Sequence, residues 1–564
     1  MDTAKSEQHV DLLVIGGGAA GMTAALTAKL EGLDVLLCEK APYVGGITAT
    51  SGGTTWVPGT HLSVKAGVPD SVDAAREFLS HVCKDKSGGD LREAFLRSGP
   101  QMIQELDDKT EVKFVAAQAH PDYIGPLPGE AYGGRALAPV AFDGKLLGAD
   151  FDRVRPPRRE FMGLGGMMVN RSELGALLKP FASLGNLKTT LGVVLPYFKD
   201  RLSYKRGTRL VMGNALVGRL YYSLKQAGVP VWFESSLQEL LLDNGKVTGA
   251  VVRRNGQNVR ITASKGVVLA TGGAAWNPSL RQRFFPEGTP DSFAPKENSG
   301  DGITAAEQIG GALDNTDFPA LWFPTSFKTE SDGYRAMWPH IILDRAKPGL
   351  FAVASDGRRF ANESNSYHDF SSAQLARHRD TPALPAYLIA DEAFVKQYGL
   401  GFIMPGGKGL TGYVQRGYVQ RGQTWTELAQ KIGVPAENLQ ATAQRYNELA
   451  ATGEDTDFGR GTSAMNRFNG DAAVKSNPCL RPLASQGPYY ALAVRSADLA
   501  GSVGLACNAE GQVLRENGQV IDGLFACGND LASIFKGTYP GPGTTIGPGM
   551  VFGWRIAKFA AGKL

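Results

Sequence analysis

The chain has 564 residues, 43% of them apolar, with 71 glycines and a formal charge of +4. That length implies more than one domain, the glycine count implies many tight backbone turns, and so small a charge argues against a nucleic-acid partner. Five cysteines (Cys38, Cys83, Cys479, Cys507, Cys527) form no Cys-x-x-Cys and leave one over, and the amino terminus lacks the basic and apolar regions of a signal peptide, so a reducing, cytoplasmic setting is expected.

Asp11 to Ile15 is an apolar strand run, followed at once by Gly16-Gly-Gly18-Ala19-Ala20-Gly21 and an alanine-rich helix from Met22 to Leu30. A second strand, Asp34 to Cys38, ends in Glu39-Lys40, the acid standing 18 positions after Gly21. Strand, glycine turn, helix, second strand and acid together form a dinucleotide-binding fingerprint. The glycines admit a pyrophosphate to the helix N-terminus, and Glu39 is placed to hold ribose hydroxyls.

From Leu174 to Arg209 seven basic residues (Lys179, Lys188, Lys199, Arg201, Lys205, Arg206, Arg209) face one acid, Asp200, a local charge of +6. The longest uncharged run, Thr189 to Phe198, is ten residues, and a spanning helix needs about 20. The pattern suits a segment lying on an anionic membrane; it suits equally a packed helical hairpin with solvated lysines. Further strand runs, Val247 to Val252 and Lys265 to Leu269, lead to Ala270-Thr271-Gly272, and Gly523 to Ala526 leads to Gly528-Asn529. These are expected to complete the same dinucleotide domain. Ala436 to Ala450 reads as a helix, with Leu439, Ala443, Tyr446 and Leu449 at helical spacing. The closing motif is Tyr539-Pro-Gly-Pro-Gly543, just ahead of a glycine-initiated helix. Its phenol and glycine N–H can donate to one oxygen, beside a helix N-terminus. Such a cradle suits a carbonyl that becomes an enolate.

The dispersed dinucleotide pieces, with Gly45-Gly46-Ile-Thr48-Ala-Thr-Ser51-Gly52-Gly53 and Asn298-Ser-Gly-Asp301, resemble the flavoproteins of the fumarate reductase and succinate dehydrogenase superfamily. The resemblance implies non-covalent FAD. It assigns to the cofactor Gly16, Gly18, Ala19, Ala20, Gly21, Glu39, Lys40, Gly45, Gly46, Thr48, Ser51, Gly52, Gly53, Ala270, Thr271, Gly272, Asp301, Gly528, Asn529, Thr544 and Ile546. Dicarboxylate reductases of that superfamily carry a His-Pro-Thr clamp and a proton-donating arginine after Arg-Phe-x-Asn-Glu; here stand Phe323-Pro-Thr325 and Arg359-Phe-Ala-Asn362-Glu363-Ser-Asn-Ser-Tyr367. A phenol can take a proton that a guanidinium cannot. With His120-Pro-Asp-Tyr123, the Arg206 to Leu216 stretch and the Tyr539 motif, the chain resembles the 3-ketosteroid Δ1-dehydrogenases over nearly its whole length.

That resemblance implies Tyr123, Tyr367, Tyr539 and Gly543 as the catalytic set, with Trp322 and Phe323 lining the substrate, which would be a 3-ketosteroid. Tyr539 and the Gly543 N–H would hold the 3-keto oxygen, Tyr367 would take the carbon-2 proton directly or through Tyr123, and carbon 1 would give hydride to flavin. Tyr123 donating, a neighbouring arginine such as Arg135, or the helix dipole near Gly543 are candidates for lowering the Tyr367 pKa. Tyr132 is a nearby competitor for Tyr123, and His368 a candidate tuner of Tyr367. The histidines show no metal-ligand spacing, and no metal is expected.

The expected fold is α/β: a Rossmann-like FAD domain in two pieces, 1–313 and 487–564, an inserted α+β catalytic domain at 314–486, and the basic apolar insertion at 174–209. Expected partners are the steroid, a quinone or similar electron acceptor and, through the insertion, the inner face of the cell membrane. Two further readings stay open. One is a flavin enzyme acting on another cyclic enone or ketone; the other is a flavin-binding membrane-surface protein without turnover.

Overall fold

A computed structural model describes residues 7–84, 86–341 and 343–564. The extreme amino terminus, read above for targeting signals, lies outside them. Strand β1 (Glu7–Ile15) runs parallel to β2 (Val35–Cys38) on one side and to Gln257–Leu269 on the other. Between β1 and β2 the chain forms α1 (Ala19–Leu30), the crossover that a parallel strand pair requires. Val231–Trp232 extends the sheet beyond β2. On the opposite flank, Lys246–Arg254 and Ser235–Asp243 add antiparallel strands, and Val520–Ala526 returns from the carboxyl end to pair in parallel with Gln257–Leu269. Leu12, Leu13, Val14, Leu36, Val267, Val268 and Leu524 are buried, as expected of strands covered on both faces.

Two amphipathic helices, α2 (Arg171–Leu178) and α3 (Leu184–Asp200), form a hairpin out of the first part of the chain. Asn170 and Glu173 close a capping box on α2, and the Ser183 hydroxyl caps α3 by accepting from Asn186 N. Among the described residues no helix is long and apolar enough to cross a membrane.

The second sheet is antiparallel and holds β3 (Ala320–Thr329), flanked by the edge strand β4 (Arg335–Pro339) and by β5 (Tyr489–Gly501). Ala386–Asp391 and Gln420–Gly422 also pair with β5, and Leu350–Val353 closes the far edge. One face carries Leu350, Leu388, Val395 and Leu492; the other carries Ile389, Leu428 and helix Ala436–Thr452 through Leu439, Ala443 and Tyr446. β5 lies beyond the boundary expected at 486, so the second sheet ends after Gly501. Its nearly continuous burial is that of a central strand, and pairing on both sides places it in this sheet.

Helix α4 (Tyr367–His378) packs against β3, and α5 (Ile546–Ala560) against α1. The contact with α1 is close because Gly553 has no side chain: a Cβ there would lie 2.5 Å from the Ala20 carbonyl oxygen. That contact brings the start of α5, with Thr545, Ile546 and Gly549, beside the glycine turn of the amino terminus.

Candidate active site and dinucleotide cleft

A cleft opens where β1 and Gln257–Leu269 end and α1 begins. Gly16 has φ +115°, and a Cβ there would sit 2.0 Å from the Ala270 carbonyl oxygen. Only glycine fits that turn. The Glu39 carboxylate accepts from Gly17 N and Ala41 N, each at 2.7 Å, at the border of the cleft. Burial pushes its pKa up while those two donors oppose the shift. Lys40 pairs with Asp301 at 2.9 Å, tying the end of β2 to the start of helix Asp301–Gln308. Asp530 accepts from Thr271 N, Thr271 Oγ1 and Gly273 N, and burial raises its pKa to about 6. It sets the turn that carries Thr271 and Gly272.

Most residues expected at the cofactor line this cleft: Gly16, Gly18, Ala19, Ala20, Glu39, Lys40, Gly46, Thr48, Ala270, Thr271, Gly272, Asp301, Gly528, Asn529 and Ile546. Others stand behind the lining. A Cβ on Gly21 would lie 2.0 Å from the Gly16 oxygen, on Gly45 2.8 Å from Ala49 Cβ, and on Gly53 2.6 Å from Gly213 N. Ser51 bonds within its own turn, donating to Thr48 O and accepting from Gly53 N, and Gly52 is exposed. Thr544 borders a small adjoining cavity that shares Gly528 and Asn529 with the cleft. Sequence reasoning missed Arg155, Ser235, Leu237 and Glu297, which complete one end of the cleft, Arg155 pairing with Glu297 at 3.1 Å. No local motif marks them. A backbone cradle at a helix N-terminus, a buried ribose acid and an elongated cleft continuing into a second cavity fit FAD.

Beside the second cavity three tyrosines form a triangle. Ring centroids are 5.4 Å apart for Tyr123 and Tyr367, 5.5 Å for Tyr367 and Tyr539, and 5.6 Å for Tyr123 and Tyr539. Tyr367 is the first residue of α4, with Ser366 as its cap. The stretch leading into it is held by a buried ion network: Arg359 grips Glu363 at 2.8 Å and Asp455 at 2.7 Å, and Arg460 reaches Glu363 at 3.2 Å. Tyr123 N donates to Pro540 O at 2.8 Å, joining its loop to that of Tyr539.

The Tyr123 hydroxyl donates to Tyr367 Oη at 3.4 Å, and the Tyr539 hydroxyl bonds both to Tyr367 and to the Gly543 N–H. Phenol and glycine N–H therefore lie side by side. Gly543 holds φ +96°, and its Cβ would fall 2.1 Å from the Thr54 oxygen. Burial, then the neighbouring Tyr123 and Tyr539, hold the Tyr367 pKa well above the usual phenol value.

Several expectations are corrected here. Arg135 does not serve Tyr367: it is buried against Asp70 at 2.9 Å and Asp122 at 2.6 Å, and Asp122 also accepts from Trp56 Nε1. This cluster fixes the Tyr123 loop. His368 is a strut, not a tuner. Its Nε2 lies 3.0 Å from Gly537 O and so carries the proton, while Nδ1 accepts from Trp322 N. Tyr132 is 64% exposed, away from the triangle. The Phe323 ring lies 4.6 Å from that of Tyr367, tilted against it, but Trp322, its neighbour on β3, points to the other face and packs on Phe285. Leu321, Met465, Leu499, Ile124, Ile341 and Phe468 enclose the tyrosines.

The family model for an FAD binding domain matches residues 11–546. The chain is 35% identical over 571 residues to a 3-oxosteroid 1-dehydrogenase of Mycobacterium tuberculosis, covering 98% of each protein. The crystal structure of 3-ketosteroid Δ1-dehydrogenase from Sterolibacterium denitrificans, in complex with 1,4-androstadiene-3,17-dione, superposes with a TM-score of 0.90 at 33% identity, covering 99% of this chain and 100% of that one. This chain belongs to the 3-ketosteroid Δ1-dehydrogenase family. It is an FAD-dependent oxidoreductase. A 4-oxocyclohex-2-ene-1-carboxylate 5-dehydrogenase of Sinomonas cyclohexanicum is 36% identical over 557 residues, 98% of this chain and 93% of that one, so the family's similarity also extends to an enzyme named for a monocyclic oxo acid.

Proposed function

We propose that the protein introduces the 1,2 double bond into 3-ketosteroids. The observation that carries this reading is the adjacency of the Tyr539 hydroxyl and the Gly543 N–H beside Tyr367 in an apolar enclosure. The two donors hold the 3-keto oxygen and meet the charge that develops when the carbon-2 proton leaves. Tyr367 takes that proton, with Tyr123 as its hydrogen-bonded partner. Bound FAD supplies the two-electron acceptor for carbon 1.

A 4-oxocyclohexane carboxylate would need a cation for its carboxylate. The guanidiniums bordering the aromatic wall are already paired: Arg158 with Glu160, Arg281 with Asp498 and Arg335 with Asp291. This favours the steroid. Anaerobic mixing with a 3-ketosteroid is expected to bleach the flavin absorbance, whereas 4-oxocyclohexanecarboxylate leaves it unchanged; bleaching by the monocycle alone reverses the assignment. Tyr539→Phe is expected to lower kcat/KM by about 10²–10³-fold, the usual worth of one oxyanion donor, and to weaken 3-keto steroids more than 3-hydroxy steroids in a binding titration. Equal weakening of both removes Tyr539 from the ketone.

We further infer that the α2–α3 hairpin docks on an anionic membrane, from which poorly soluble substrate is drawn and where a quinone-type acceptor is at hand. Leu178, Phe181, Leu184, Leu191, Leu195, Phe198 and Leu202 are exposed, Phe181 at 87% and Leu184 and Leu202 at 86%. A packed hairpin would bury these residues. Among the described residues of α3, Val193, Tyr197 and Asp200 are buried, Val193 and Tyr197 packing with Val194 against Met167. Lys179, Lys188, Lys199 and Arg201 are exposed alongside, and each adds about 1 kcal/mol near an anionic surface. Arg206 and Arg209 do not belong to this set: Arg206 bonds Asn214 and Val154 O, and Arg209 pairs with Glu173. Replacing Lys188, Lys199, Arg201 and Lys205 with glutamate is expected to abolish cosedimentation with phosphatidylserine vesicles at low salt. Cosedimentation unchanged by those substitutions, or absent in the parent, overturns the docking.

A further inference from the structure

The hairpin is joined to the substrate wall by one short segment, residues 158–163, and its contacts are specific. Glu160 is buried, its side chain 2% exposed, although it lies between the exposed Arg159 and the hairpin. One carboxylate oxygen accepts from Met337 N at 2.7 Å and from Arg158 at 3.0 Å; the other accepts from Tyr334 Oη at 2.9 Å. Met337 lies on β4, an edge strand, whose outward N–H groups have no strand to receive them. Glu160 therefore fastens the segment to the free edge of the catalytic sheet, and Arg159 adds a second tie to Asp332 at 2.5 Å.

Fastening Glu160 fixes Phe161. That ring packs into the cluster of Phe293, Met337 and Ala497, which Phe323 also joins. From there a line of aromatic contacts leads inward: Phe293 to Phe323 at 5.2 Å, Phe323 to Tyr367 at 4.6 Å, Tyr367 to Tyr539 at 5.5 Å. Outward, Met162–Gly163 pairs with Met167–Met168, and Tyr197 of α3 donates to Leu164 O at 2.6 Å. Phe161 thus stands between the apolar face that meets lipid and the rings that meet substrate.

We propose that residues 158–163 form the outer gate of the substrate pocket. Phe161 closes the end remote from Tyr539, and Glu160 is the positioning residue that holds it shut. Substrate passes from the base of the hairpin between this segment and β4, and the part of the steroid farthest from its 3-keto group lies against Phe161. The inference rests on the steroid and membrane readings above. It assigns discrimination between steroid side chains to a residue outside the tyrosine cluster, and an apolar wall of that kind discriminates about 10–200-fold per methylene.

The test compares kcat/KM for two 3-keto-4-ene steroids, one with a long alkyl chain on ring D and one with only a 17-ketone. Phe161→Ala is expected to raise the long-to-short ratio at least tenfold, and Phe161→Trp to lower it at least tenfold. Glu160→Ala shifts the ratio in the same direction as Phe161→Ala, the double variant adds nothing to the larger single effect, and Glu160→Asp restores part of the parental ratio. Flavin content and thermal unfolding of each variant report its folding. A parent that oxidises both steroids, with the Phe161 variants leaving the ratio within twofold, overturns the gate and leaves the substrate reading standing. A parent that oxidises neither steroid overturns both.

Discussion

Replacing Tyr367 by phenylalanine is expected to suppress steroid-driven flavin reduction by about 10²–10⁴-fold, the usual worth of a positioned base, while FAD stays bound. The ring keeps its contact with Phe323, so the deficit lies in proton removal and not in packing. A pH dependence goes with it. Burial and two neighbouring phenols raise the Tyr367 pKa well above its usual value, so near neutrality the proton-accepting form is the minor one. Raising the pH increases that fraction, and the single-turnover rate of the parent is expected to climb from neutral into the alkaline range. The phenylalanine variant loses the slope. Tyr123→Phe, removing a 3.4 Å donor to Tyr367, costs less, because Tyr123 assists the base without replacing it. Stopped-flow reduction over a pH series decides the matter, and a near-parental rate in Tyr367→Phe removes that residue from the role.

Gly543→Ala is expected to be nearly as damaging for a different reason. The backbone there sits at φ +96°, and the new Cβ would meet the Thr54 oxygen at 2.1 Å, so the loop must move and take its N–H with it. Loss of that donor costs about 10²–10³-fold in turnover. The strain adds about 1–3 kcal/mol of destabilisation, since the Gly543 carbonyl also accepts from Trp56 N and Gly547 N. Gly518→Ala is the control. It has φ +79° with no atom near the added Cβ, so it reports the cost of the backbone conformation alone. Thermal unfolding of the two variants, with flavin reduction measured on both, separates strain from chemistry; parental turnover in Gly543→Ala would mean that its N–H does not hold the ketone.

The amino-terminal fingerprint was legible because its physics is local. Gly21, where a Cβ would meet the Gly16 carbonyl oxygen at 2.0 Å, a helix start and a ribose acid all fall within one strand–helix–strand unit. The Tyr539 to Gly543 spacing is local in the same sense, since one tight loop sets phenol and N–H side by side. Arg135 shows where such reading fails. From the sequence it is a free cation near Tyr123, but Asp70 and Asp122 close around it in the folded chain.

Long-range pairing decided the rest. Trp322 and Phe323 are equivalent as neighbouring aromatics until the register of β3 sends one toward Phe285 and the other toward Tyr367. Ser235 and Leu237 become cleft residues only because the sheet order brings their strand beside the glycine turn, and Arg155 because its segment bridges to Val44. Tyr489–Gly501 joins the second sheet because three strands from the middle of the chain pair with it. The basic apolar stretch is the sharpest case: its residues can cover a core or a lipid surface equally well. The sequence by itself determined a dinucleotide fold and a ketone cradle, whose elements are contiguous; only the tertiary structure left Phe181, Leu184 and Leu202 uncovered, because burial is set by what packs opposite a residue and not by its place in the chain.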